Sequence, residues 1–213
     1  MNIHFDAVIH LLHNASQGAL ATQSTHMPGY PFASLLPFVL DEQHRPIFLI
    51  SSLAEHTKNL IADRRASLLV ANVSEPTLLA NERLSLIGDA ERFEPSPELI
   101  ARAVRYQPDI EQYLALGDFA FFRFNPKRAR YIAGFGQMGW VEEEAWANCA
   151  CLPPADEVRL IHEHQSVNAR LLGLDCYGFD SECNGKRERQ CFPNAPVAAE
   201  KIGEVLKRFL AAM

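Results

Sequence analysis

The sequence contains no block of Lys or Arg, no Cys-x-x-Cys pair and no long apolar run. A membrane-spanning helix needs about 18 or more consecutive apolar residues, so none is expected. Nucleic acid and anionic membranes select for a clustered positive field. The net charge here is −6 with scattered cations, which argues against both as partners. The five cysteines, Cys149, Cys151, Cys176, Cys183 and Cys191, are odd in number and lack zinc-knuckle spacing. They read as free thiols in a reducing compartment. Met1 to Asp6 carries neither a basic stretch nor an apolar core. No secretory leader is legible, and a cytoplasmic location is expected. No hydrolytic Ser/His/Asp or Cys/His arrangement stands out, and no metal site is legible.

What is present is the patterning of an ordinary globular chain. Its 213 residues suit one domain of about 150 residues with a small appendage. Pro153-Pro154 marks the boundary, which gives a barrel domain over 1–150 and a small α+β unit over 151–213. Asn2 is placed to cap a first helix carrying Phe5, Val8, Ile9 and Leu12. Short strands follow. Gly18 to Thr22 is one. Phe32 to Leu40, apolar at nearly every position, reads as a strand buried on both faces. Ile47 to Ile50 pairs back across the polar turn Asp41 to Pro46. Ser52 and Glu55 have the spacing of a capping box at the start of a helix that reaches Asp63. Ala66 to Val70 and Leu84 to Phe93 are strands, and Ser96-Pro97-Glu98 opens a helical pair that reaches Leu116. Phe119 to Phe124 and Tyr131 to Gly136 read as two further strands. In the tail, Asp156 to Ser166 is helical and Asn184-Gly185 is a hairpin turn. Pro196 opens a last helix with Ile202, Val205, Leu206, Phe209 and Leu210 on one stripe. Many short strands with few helices between them argue for a closed, mainly antiparallel barrel.

Several segments carry a resemblance. Pro46 to Val70, Tyr30 to Phe38, Arg83 to Ala90, Gly134-Phe135-Gly136 with Trp140, and Gly173-Leu174-Asp175 with Gly178-Phe179-Asp180 and Phe192-Pro193 occur in a telling order. Together they resemble the pyridoxamine-phosphate-oxidase-like FMN-binding split barrels, and within them the HugZ-type haem-utilisation branch. The resemblance implies an α+β protein, a split β-barrel with a small C-terminal α+β domain. It also implies a homodimer holding a cofactor at the subunit interface, without nucleic acid or membrane as partners.

The cofactor implied is FMN, with haem as the alternative. A flavin phosphate needs N–H donors at a helix start, hydroxyls and a cation. Ser51, Ser52, His56, Thr57 and Lys58 bring these groups together, and the resemblance adds Ser34 on the second strand and Trp140. The chain departs from the oxidase at Phe32-Ala33-Ser34, which offers no cation, and at Glu55, near a position expected to be basic. It also lacks an Arg-rich C-terminal segment. Authentic pyridoxamine-phosphate oxidase activity is therefore not expected. Haem requires an axial ligand, usually His, and an apolar slot. His56, and His162 and His164 with Asn168, offer the imidazoles, although His162 and His164 point to different helix faces. Three readings stay open: a flavoprotein redox enzyme, a haem-binding or haem-degrading protein, and a non-enzymatic binding module.

Overall fold

A computed structural model describes residues 3–72, 81–134, 137–164 and 170–211. The chain begins with helix α1 (Phe5–Asn14) and strands β1 (Gln17–Gln23), β2 (Pro31–Pro37), β3 (Val39–Leu40) and β4 (Pro46–Ser51). Helix α2 (Glu55–Ala62) leads into β5 (Arg65–Ala71) and β6 (Arg83–Arg92). Helices α3 (Pro97–Tyr106) and α4 (Ile110–Leu116) precede β7 (Phe119–Gly134), β8 (Gln137–Glu142) and the short α5 (Glu144–Ala147). The tail comprises α6 (Pro154–Glu163), β9 (Arg170–Asp175), β10 (Gly178–Cys183), β11 (Lys186–Cys191) and α7 (Ala199–Leu210).

The larger sheet runs β2-β1-β5-β6-β7-β4-β3, with β8 also on β7. Every pairing among the described residues is antiparallel. The split comes from β7. Its first part, Phe119 to Arg123, pairs with β4, while Arg128 to Gly134 pairs with β8, and β6 follows it throughout. One long strand thus serves where the sequence suggested two, and β8 rather than Tyr131 to Gly136 is the last strand of the barrel. The bend lies at a bulge between Ile87 and Gly88. A Cβ on Gly88 would sit 2.1 Å from the Asn125 carbonyl oxygen, so only glycine fits there. Pro126 opposite it lacks an N–H and is tolerated at a bulge.

Alternation fills the barrel. Leu20, Leu68, Leu84, Leu86, Phe48 and Phe124 point inward and are fully buried. Helix α1 closes this core with Val8, Leu11 and Leu12, and turns Ile9 into a second core with Leu160, Leu174, Phe179, Phe192, Ile202 and Leu206. That core lies between the sheet β11-β10-β9 and helices α6 and α7. The hairpin at Asn184-Gly185 is as expected, with both residues at positive φ, 52° and 75°. Ser96 caps α3 by accepting the Leu99 N–H. No helix among the described residues is long and apolar enough to cross a membrane.

Other expectations are corrected. Phe32 to Leu40 is two strands broken at Phe38, whose N–H donates to the Ser16 carbonyl. It is not buried on both faces: β2 is an edge strand, and Leu35 is 64 % exposed. His4 occupies the N-cap of α1 without a side-chain bond, and Asn2 lies outside the described residues. The last helix starts at Ala199, because the Val197 N–H is drawn to the Cys176 carbonyl. Phe135, Gly136 and Asn168 also lie outside the described residues.

A buried polar layer separates the two cores. His13, at the end of α1, places Nδ1 2.7 Å from Asp180 Oδ2 and Nε2 3.1 Å from His44 Nδ1. Arg189 forks onto Asp175 at 2.9 and 3.0 Å and reaches Asp180 at 3.2 Å. Burial would raise the pKa of both carboxylates. Arg189 and His13 reverse this and hold them well below the usual carboxylate range. Nearby, Arg102 pairs with Glu157 at 2.6 Å, and Glu157 also accepts the Leu174 N–H.

Candidate functional site

The stretch Ser51 to Lys58 takes its shape from Asp118, just before β7. Ser51 Oγ donates to Asp118 Oδ2 at 2.6 Å and accepts the Leu53 N–H at 3.1 Å. The Ser52 N–H donates to the Asp118 carbonyl at 2.7 Å. These bonds hold a turn after β4 and delay the helix until Glu55, with Ala54 at the N-cap. Ser52 and Glu55 therefore form no capping box. Glu55 lies instead between His26 and Lys58: Oε1 is 3.2 Å from His26 Nε2, and Oε2 is 3.8 Å from Lys58 Nζ.

Two of the anticipated hydroxyls are conspicuous for lacking partners. Thr57 Oγ1 on α2 and Ser34 Oγ on β2 are buried with no hydrogen bond among the described residues, and these two elements pack together. An unsatisfied buried hydroxyl costs roughly 1–3 kcal/mol, so each calls for a partner such as a ligand group or a water. His56 is half-buried, and burial lowers its pKa. Lys58 is half-exposed.

The loop between β1 and β2 is tied down next to this stretch. The Thr25 N–H and hydroxyl both donate to Asn59 Oδ1, at 2.9 and 3.0 Å, and Asn59 Nδ2 donates to Thr22 Oγ1. Asn59 is fully buried, so the anchor is rigid. The loop displays His26, Met27 and Tyr30 to solvent. Neither His26 nor the Asn59 anchor was legible as part of a site.

Among the described residues, none covers the outer face of the larger sheet. Register aligns Leu35, Ala19, Leu69, Ser85, Arg130 and Trp140 in one row across six strands. The next row is Ala33, Ala21, Ser67, Ile87, Arg128 and Glu142. Leu35, Leu69, Ile87 and Trp140 are all more than two-fifths exposed. An open groove of about 370 Å³ crosses this face beside the anchored loop, lined by Ala21, Gln23, Pro31, Ser67 and Ile87 among others. Trp140 is not core packing. It stands on β8 under two guanidiniums, Arg128 at 4.2 Å and Arg130 at 5.3 Å from the ring centre. The chain by itself does not bring Trp140 to Ser51–Lys58, since α2 packs on β1, β2 and β6.

A profile of the family described as CREG, beta-barrel, matches residues 8–148. The chain belongs to the CREG β-barrel family. Among other family relatives, it is 34 % identical over 194 residues to the chloroplastic heme oxygenase HOZ of Arabidopsis thaliana, across 80 % of this chain and 60 % of HOZ. It is 30 % identical over 116 residues to heme oxygenase HutZ of Vibrio cholerae, across 51 % of this chain and 65 % of HutZ. The chain thus spans less than two thirds of either relative. A solved structure of a heme binding protein from Mycobacterium smegmatis superposes with a TM-score of 0.61 at 24 % identity, covering both chains completely. The residues that match the family, 8–148, are those of the barrel described above.

Proposed function

We propose that the protein binds haem between two copies of itself, on the outer sheet face, and handles it as a haem-utilisation protein. The observation that carries this reading is that face: its exposed Leu35, Leu69, Ile87 and Trp140 flank an open groove. Contiguous exposed apolar surface marks an interface or a ligand slot. A two-fold copy seated on this face would cover Leu35, Leu69 and Ile87 and bring a second Trp140 towards the groove. Identity to two haem oxygenases supports the choice of haem over flavin.

The residues present fit haem. Ser34, Thr57 and Lys58 supply the hydroxyls and cation that a propionate needs, as they would for a phosphate. His26, exposed on the β1–β2 loop with its Nε2 3.2 Å from Glu55, would ligate the iron. Ser51 and Ser52 are committed to Asp118 and shape the turn. Bound haem would supply the oxygen and electron chemistry. The chain's part is to bind, to orient and to keep water off the ring.

Flavin mononucleotide has weaker support: β2 offers no cation, and Lys58 shares Glu55 with His26. Titration of the purified protein with hemin, and separately with FMN, tests the reading. The expected result is a saturable Soret band with hemin and weak or no FMN uptake. Tight FMN uptake without hemin binding would sink it. Loss of the Soret band under reductant and oxygen would place the protein among haem-degrading enzymes.

A further inference from the structure

Away from the sheet face, three side chains distant in sequence direct ligand atoms at one buried point. His13 Nε2 is 3.1 Å from His44 Nδ1 and 3.3 Å from Asp175 Oδ2. The ligand atoms of all three lie within 4.8 Å of one another. Donors around a tetrahedral ion with bonds of about 2.0–2.1 Å stand about 3.3 Å apart. None of the three residues is more than 4 % exposed.

Hydrogen bonds inside the protein do not account for this arrangement. Asp180 Oδ2 accepts from Tyr106, Arg189 and His13 Nδ1, so Nδ1 holds the proton of a neutral His13. Its Nε2 then points a lone pair at a carboxylate oxygen. A proton on His44 Nδ1 would satisfy His13, and Asp175 Oδ2 accepts Arg189 at 2.9 Å, yet that oxygen would still stand 3.3 Å from the Nε2 lone pair. His44 Nε2, fully buried, has no hydrogen-bond partner among the described residues. The site asks for a cation where the three atoms converge.

The surroundings are those of a supported ligand set. Asp180 fixes the far nitrogen of His13, the pattern that orients metal-bound imidazoles. Asp175 Oδ1 is held by the Tyr177 and Gly178 N–H groups at 2.7 and 3.1 Å and by Arg189. Tyr177 packs edge-on against His44 at 5.3 Å. In direct contact with the cluster, the Asp175 and Asp180 carboxylates face the buried Arg189 guanidinium, with the buried Arg102–Glu157 pair nearby. Arg187, 3.9 Å from Asp180 Oδ1, shares its charge with solvent.

We propose that His13, His44 and Asp175 bind one divalent ion of the zinc class, which pins α1 and the β3–β4 loop to β9. Two imidazoles and a carboxylate select borderline transition ions over magnesium or calcium. Three protein ligands leave one position for water. The inference is independent of the haem reading.

The test uses the full haem-free chain, unfolded with chelator and refolded with or without Co(II). Bound metal and the visible absorption of the cobalt are read in wild type, in the double variant C149S/C151S, and in His44→Asn. Asn suits the last position because His44 has φ 58°. One cobalt per chain in wild type and in the cysteine variant, lost in His44→Asn, is the expected result. Wild-type protein that refolds without retaining cobalt overturns the proposal whatever the variants do. So does retention in His44→Asn, or loss in the cysteine variant.

Discussion

Ser51 and Asp118 are joined hydroxyl to carboxylate at 2.6 Å, and this bond ties the end of β4 to the start of β7. Ser51 is therefore a shaping residue and not a ligand group. Ser51→Ala should lower stability by about 1–2 kcal/mol, the range for a lost hydrogen bond to a charged group at a part-buried site. Hemin affinity should stay within about twofold, roughly 0.4 kcal/mol. Urea unfolding and a hemin titration on the same variant check both halves.

Thr57 makes the opposite case. Its buried hydroxyl has no partner among the described residues, so Thr57→Val removes a polar cost and keeps the shape. The ligand-free variant should be as stable as wild type or more so, while hemin binding weakens by about 0.5–1.5 kcal/mol. Lys58, half-exposed and near Glu55, should matter less: Lys58→Ala is expected to weaken binding by up to about 1 kcal/mol. A Thr57→Val protein with reduced stability and unchanged affinity would show that the hydroxyl serves the fold.

Leu69 lies at the middle of the outer row, between Ala19 and Ser85, and is 45 % exposed. A charge there costs the lone chain little, because the side chain already meets water. In a two-fold interface it costs much, because an unpaired carboxylate would be buried in both copies. Leu69→Asp should convert a dimer burying more than about 2,000 Å² into a folded monomer. Light scattering with circular dichroism reads the two properties separately. A wild-type monomer at micromolar concentration would remove the dimer.

Much of the barrel was legible because its strands obey simple rules. Leu84 to Phe93 alternates, Ser96 and Pro97 announce a helix, and Asn184-Gly185 can hardly be anything but a tight turn. The capping box failed for a non-local reason. Ser51 and Ser52 bond Asp118, 67 residues from Ser51, and no local pattern records a bond across that distance. The double-buried reading of Phe32 to Leu40 failed because apolar content does not distinguish a core face from an uncovered one. The polar layer was illegible for a similar reason. His13, His44 and Asp175 belong to a helix end, a turn and a strand end, and only the packing of the two cores brings them together.

The same layer predicts how acid acts on the metal-free protein. Burial lowers the pKa of His44 from 6.5 to about 3. Burial, with Arg189, also lowers that of His13. The folded chain therefore refuses protons that the unfolded chain accepts once the pH falls below 6.5. This stability is fully present above pH 6.5 and is lost as the pH falls towards 3. Each such histidine contributes a slope of about 1.4 kcal/mol per pH unit within that window. Asp175 and Asp180, held low by Arg189, add a loss only below the ordinary carboxylate range. Urea unfolding in chelator at pH of about 7, 6 and 5 should show stability declining through a range where carboxylates are still ionised. His44→Asn should decline less steeply, by about one histidine's slope. A flat profile from pH 7 to 5 in the wild type would mean that His13 and His44 take up protons in the folded state as readily as in the unfolded one.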